Sequence, residues 1–162
     1  MQESNWFSIL GNHEEMYLQY DYGYDNGENW LFSNFNDCCQ STVSKEQNDK
    51  NLKYLKTLPY AIEVKTNSGL IGLSHARVPN EFRSWRQFTN NLHHDNVQRE
   101  CTWSYGCNDY PIEEVDLTIH GHMVYDDEVK SHNSIWIDIG AHFRKKMIIY
   151  QIHPSIERCG VL

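Results

Sequence analysis

Ile9-Leu-Gly-Asn-His-Glu-Glu-Met-Tyr-Leu18 is the stretch on which the reading of this chain turns. Trp6 to Leu10 is an apolar run of strand length, Gly11 permits a sharp exit, and Glu14 and Glu15 lie where acidic side chains favour a helix N-terminus. The pattern predicts a buried strand, a tight turn and a helix begun near Glu14, with Asn12 and His13 side by side at the strand's carboxyl end. In open α/β sheets ligands bind at that edge, where an amide oxygen and an imidazole can serve a metal, a proton transfer, or both.

Outward from this stretch the same pattern recurs twice. Tyr60 to Val64 reads as a strand, Asn67-Ser-Gly69 as a hairpin turn, and Leu70 to Ser74 as a second strand that delivers His75. Val115 to Ile119 is a further strand, running into His120-Gly-His122. Three apolar runs thus hand over Asn12, His75 and His122, and parallel neighbouring strands would bring such ends within reach of one another. Imidazole nitrogens and an amide oxygen suit a borderline divalent ion, Mn²⁺ first, with Fe²⁺ or Zn²⁺ as alternatives. A single histidine at a strand end is ordinarily a hydrogen-bonded structural residue; three potential ligands in one register favour a shared ion.

The remaining segments frame this pattern. Asp21 to Asn29 concentrates turn formers and reads as a surface loop, Trp30, Leu31 and Phe32 as a short packing element, and Ser33 to Ser44 as a polar stretch holding Cys38-Cys39. Leu52, Leu55 and Leu58 recur at helical spacing between Lys45 and Leu58, and Pro59 is the stop. Val78 to Tyr110 shows no sustained period and reads as short helices and loops, either a lid or a packed insertion. Ile135 to Ile139 and Met147 to Ile152 read as strands of an antiparallel hairpin closed through residues 140–146.

Composition sets the outer bounds. A length of 162 residues with 40% hydrophobic and 13% aromatic content suits one domain over 1–162 with a sizeable core. Fourteen basic against twenty-two acidic residues give a net charge of −8, which opposes attraction to phosphate backbones and anionic membranes, so neither nucleic acid nor membrane is an expected partner. No apolar stretch approaches the roughly 20 residues that span a bilayer, and Met1-Gln-Glu-Ser4 does not open a signal sequence; the expected location is the cytoplasm. Five cysteines in no framework spacing imply reduced thiols.

Gly11-Asn-His-Glu14, Ser74-His-Ala76 with Pro79 shortly after, His120-Gly-His122 and Ile137-Asp-Ile-Gly-Ala141 occur in this order along the chain. Together they resemble the third, fourth and fifth motifs and closing hairpin of the serine/threonine phosphoprotein phosphatases, in the bacterial and phage branch of the calcineurin-like metallophosphoesterases. The resemblance implies an α/β fold, a partial metallophosphoesterase-type β-sandwich flanked by helices and missing its amino-terminal strands. It implies Asn12, His75 and His122 as ligands of the second metal and His13 as the general acid that protonates the leaving oxygen. The implied reaction is hydrolysis of a phosphoprotein or small phosphoester by metal-activated water attacking phosphorus in line.

This sequence departs from the family at several points. The first two signatures, Gly-Asp-x-His-Gly and Gly-Asp-x-x-Asp-Arg-Gly, have no counterpart in the ten residues before Gly11, and with them go the first-metal and bridging ligands. Tyr105 follows Trp103 where the family has a phosphate-binding arginine, with Arg77, Arg83, Arg86 and Arg99 as possible substitutes. Met123 and Ile139 replace the commoner threonines. The chain alone is therefore expected to be weak or inactive, and to self-associate or pair with a complementing amino-terminal segment. Alternatives are a catalytically dead remnant with a binding or regulatory role, a dinucleoside tetraphosphate hydrolase-like enzyme, and a zinc module built on His93 or His94 with Cys101 and Cys107.

Overall fold

A computed structural model of the protein describes residues 6–21, 44–152 and 157–161, and its contacts group the chain into two units, 1–59 and 60–162. The loop expected over 22–29, the element at Trp30 to Phe32 and the Cys38-Cys39 pair lie outside the described residues.

In the first unit helix α1 (Asn12–Asp21) starts two residues earlier than the acidic pair suggested. Gly11 is its N-cap: the Glu15 N–H bonds to the Gly11 carbonyl at 3.0 Å, and the Glu14 carboxylate accepts from the Gly11 N–H at 3.0 Å. Residues 6–10 form no strand, contrary to the expectation from their apolar run. Trp6 and Phe7 are 86% and 80% exposed, whereas Leu10 is buried and donates its N–H to Pro59 O at 2.8 Å. An apolar run becomes a strand only where a second backbone lies beside it, and among the described residues none pairs with this one. Asn12 and His13 therefore project from the first turn of a helix rather than from a strand end.

Helix α2 (Lys45–Leu55) carries the expected amphipathic pattern. Ser44 caps it by accepting from the Gln47 N–H at 3.2 Å, and Leu52 is buried.

The second unit is built on a five-stranded sheet of order β1-β2-β3-β5-β4, formed by β1 (Ala61–Thr66), β2 (Gly69–Ser74), β3 (Leu117–His120), β4 (Val129–Ser131) and β5 (Ser134–Trp136). The β1–β2 hairpin turns where Asn67-Ser-Gly69 predicted. Gly69 sits at φ +134°, and a Cβ there would collide with the Asp116 carboxylate, which accepts the Leu70 N–H at 2.7 Å, so the turn requires glycine. β2, β3 and β5 run parallel, with Leu73 opposite Ile119 and His120 opposite Trp136.

Alternation along these strands separates two faces. Ile71, Ile119 and Ile135 line one, and Tyr150 and Ile152 from the C-terminal ribbon pack on it. The other face carries Gly72, Ser74, Thr118, His120, Ser134 and Trp136. Helices α3 (Trp85–Asn90) and α4 (Asp95–Trp103) bring Trp85, Phe88, Val97 and Cys101 into the adjoining core, with the Trp85 indole lying against Gly72. A capping box starts α3: the Ser84 hydroxyl accepts from the Gln87 N–H and the Gln87 side chain from the Ser84 N–H.

The C-terminal hairpin is rearranged relative to expectation. Ile135 belongs to β5, which pairs with β3 and β4; residues 141–144 form the short helix α5 (Ala141–Arg144); and β6 (Ile148–Gln151) pairs with β7 (Glu157–Val161). Each strand found an edge that the 2-residue period alone does not specify. The architecture is thus mixed α/β, a five-stranded sheet with helices beside it.

Candidate functional site

His75 follows Ser74, the last residue of β2, and His122 lies two residues beyond His120, the last of β3. Because β2 and β3 are parallel neighbours, both histidines emerge from the same sheet edge. Their ring centres are 5.3 Å apart, at an interplanar angle of 62°. The Gly121 N–H bonds to His75 O at 2.9 Å, so the two loop starts are also joined through backbone.

His122 adopts φ 66°, and the Met123 N–H reaches back to Gly121 O at 2.7 Å. This is a γ-turn with a positive central φ, a rare and strained form for a residue with a side chain. The turn leaves the His122 ring beside that of His75. Tyr105, 72% exposed, sets its ring 5.3 Å from His122.

The donor chemistry can be tested against a divalent ion. Two imidazoles that ligate one ion at about 2.1 Å, each ring adding a radius of about 1.1 Å, place their centres roughly 4.5–5.4 Å apart for bond angles of about 90–115°. The observed 5.3 Å fits the upper end of that range. The pair supplies two nitrogens, and among the described residues no group of three or more His, Cys, Asp or Glu side chains is arranged to hold an ion. His75 and His122 thus suit a cation whose remaining positions go to oxygen donors or water. Asn12, 8% exposed, and His13, exposed, belong to the first unit.

Beneath the pair is a buried polar chain that the motifs did not single out. The His120 ring is 1% exposed and stacks on Trp136 at 4.9 Å. Its Nδ1 lies 2.8 Å from Ala76 O and 3.0 Å from Ser74 Oγ, and its Nε2 2.8 Å from Thr118 Oγ1, which in turn is 2.7 Å from Ser134 Oγ. A carbonyl only accepts, so Nδ1 carries the proton, while Nε2 faces the Thr118 hydroxyl. Burial pushes the imidazole from 6.5 down to about 4, against a raising effect of the hydrogen bonds at Ala76 and Ser74.

The four arginines weighed as phosphate ligands are placed differently. Arg83 lies over the Tyr110 ring at 3.3 Å, Arg86 is 4.0 Å from Glu114, and Arg99 is exposed on α4. Arg77 follows His75 by two residues; its guanidinium donates to Cys107 O at 3.4 Å, and its Nε is buried without a partner among the described residues. The zinc-module cysteines are otherwise engaged: Cys101 donates to Gln98 O at 3.2 Å, and Cys107 Sγ is 3.8 Å from the Tyr125 hydroxyl.

Against known proteins, the chain is 28% identical over 159 residues to "Serine/threonine-protein phosphatase 2" of Salmonella typhimurium strain LT2. The match covers 91% of this chain and 68% of that protein. The chain is distantly similar to a protein phosphatase. No family model matches it. The likeness hints at phosphoester hydrolysis, and among the described residues no helix is long and apolar enough to cross a membrane.

Proposed function

We propose that this chain is a phosphoprotein phosphatase-like hydrolase domain, in which His75 and His122 hold a divalent cation, Mn²⁺ by preference. The observation that carries the reading is the convergence of His75 and His122 at the ends of adjacent parallel strands, 5.3 Å apart. Its setting within a sequence distantly similar to a protein phosphatase gives that pair a chemistry.

A cation held there would supply Lewis acidity toward phosphoryl oxygens and acidify a water near neutral pH. The chain's own residues do the rest. His75 and His122 present ring nitrogens from a fixed sheet edge. Arg77, two residues past His75, supplies a guanidinium suited to a phosphoryl group. The resemblance gives His13 the role of general acid toward the departing seryl, threonyl or tyrosyl oxygen. Residues 1–162 carry neither of the first two family signatures, so turnover by these residues is expected to be slow.

The test is p-nitrophenyl phosphate hydrolysis in Mn²⁺. The expected rate is below the roughly 1 to 10³ per second usual for enzymes, and is abolished by chelator and by His75→Ala. Turnover indifferent to chelator and to His75→Ala would refute the proposal, as would the absence of any bound Mn²⁺.

A further inference from the structure

We infer that His120 is a positioning residue that sets the His75–His122 pair in place before any ion arrives. The inference rests on the shared-ion reading proposed above and concerns a histidine that takes no part in ligation.

His75 is bracketed. The residue before it, Ser74, and the residue after it, Ala76, both meet one atom, His120 Nδ1, at 3.0 and 2.8 Å. Ser74 Oγ also donates to Ala76 O at 2.9 Å, so the backbone on either side of His75 is closed into a small ring of hydrogen bonds hung on the imidazole. The same imidazole is two residues upstream of His122, whose strained turn leaves β3 at Gly121. One rigid ring therefore anchors the exits of both strands.

The ring itself cannot swivel. Thr118 Oγ1 holds Nε2 at 2.8 Å and is braced by Ser134 on the neighbouring strand, while Trp136 stacks on the ring at an interplanar angle of 29°. This chain crosses β5, β3 and β2. A leucine or isoleucine would fill the same buried volume without desolvating two ring nitrogens, so packing alone does not call for histidine here. What the imidazole adds is a fixed lateral spacing. Groups that orient metal ligands from behind typically change affinity 10- to 100-fold when removed.

The experiment titrates Zn²⁺ by calorimetry into the intact chain and its variants, with the melting temperature recorded for each. His75→Ala and His122→Ala should each abolish the site. His120→Leu should weaken Zn²⁺ binding at least about 10-fold, whereas His120→Asn, whose amide can still donate to Ala76 O, should restore affinity to within about 3-fold at a similar melting temperature. A merely structural role would lower melting in both variants alike and leave affinity unchanged wherever the protein is folded. Should His120→Leu fail to fold, Thr118→Val removes only the group that holds Nε2 and should weaken binding about 3-fold, given the smaller perturbation. Unchanged affinity in folded His120→Leu or Thr118→Val, with the site still lost in His75→Ala, overturns the inference alone. Binding that survives both His75→Ala and His122→Ala overturns the shared-ion reading and the inference with it.

Discussion

Acidification should destabilise the fold through His120, and the size of the effect follows from its burial. In the unfolded chain this imidazole titrates near 6.5, whereas in the fold burial holds it at about 4. Below pH 6.5 the unfolded chain binds a proton that the folded one refuses, so the unfolded state gains and stability falls. The contribution is complete above pH 6.5, falls as the pH drops toward 4, and levels off below that. Linkage over this window gives a loss of about 2 kcal/mol between pH 7 and 5 and about 3 kcal/mol by pH 4, a large share of a typical 5–15 kcal/mol total. The assay is urea unfolding followed by tryptophan fluorescence at pH 7, 6, 5 and 4, with EDTA present so that no ion competes for His75 or His122. Carboxylates and the other histidines titrate equally in His120→Asn, so the difference between wild type and this variant isolates the one group. Parallel stability curves, differing by less than about 0.5 kcal/mol across the window, would refute the assignment of a buried neutral imidazole.

Other expectations test the framework around the site. Gly72→Ala places a Cβ 2.7 Å from the Trp85 ring and should cost about 1–3 kcal/mol through overpacking; a urea midpoint unchanged from wild type would show that the indole has room to move. Asn133→Ala removes three hydrogen bonds, one accepted from Ile112 N and two donated to Ile112 O and Val115 O, and should destabilise by about 2–3 kcal/mol in a thermal melt. An unaltered melting temperature would contradict it. Cys101, fully buried, should resist alkylation in the folded protein, and Cys107, half-buried, should react before it; mass spectrometry after brief iodoacetamide treatment reads the order of these two, and equal labelling would contradict the core placement.

How much of this was legible in the sequence depended on where the deciding interaction lay. The hairpin of β1 and β2 was readable because Gly69 and its neighbours encode the turn locally, and the runs into His75 and His120 were readable because each strand is flanked by its own punctuation. Trp6 to Leu10 misled because apolar content does not reveal whether a partner backbone exists. β4 escaped notice because Val129-Lys-Ser131 has no apolar run and becomes a strand only by pairing with Ser134 to Trp136 through the two-residue turn His132-Asn133. The ribbon of β6 and β7 was mispaired because an edge's partner is chosen by tertiary contacts. The polar chain under the site left a fainter signal: Thr118 and His120 share one face of β3, as Ser74 and Ser134 do on their strands, and only the parallel register shows that these faces are one.

His75 and His122 are expected to ligate one ion, and anomalous diffraction from Zn²⁺-soaked crystals would locate it. The prediction is a single peak between the two rings, about 2.0–2.1 Å from one nitrogen of each. A peak bound to only one of the two histidines, or none between them at saturating Zn²⁺, would contradict it.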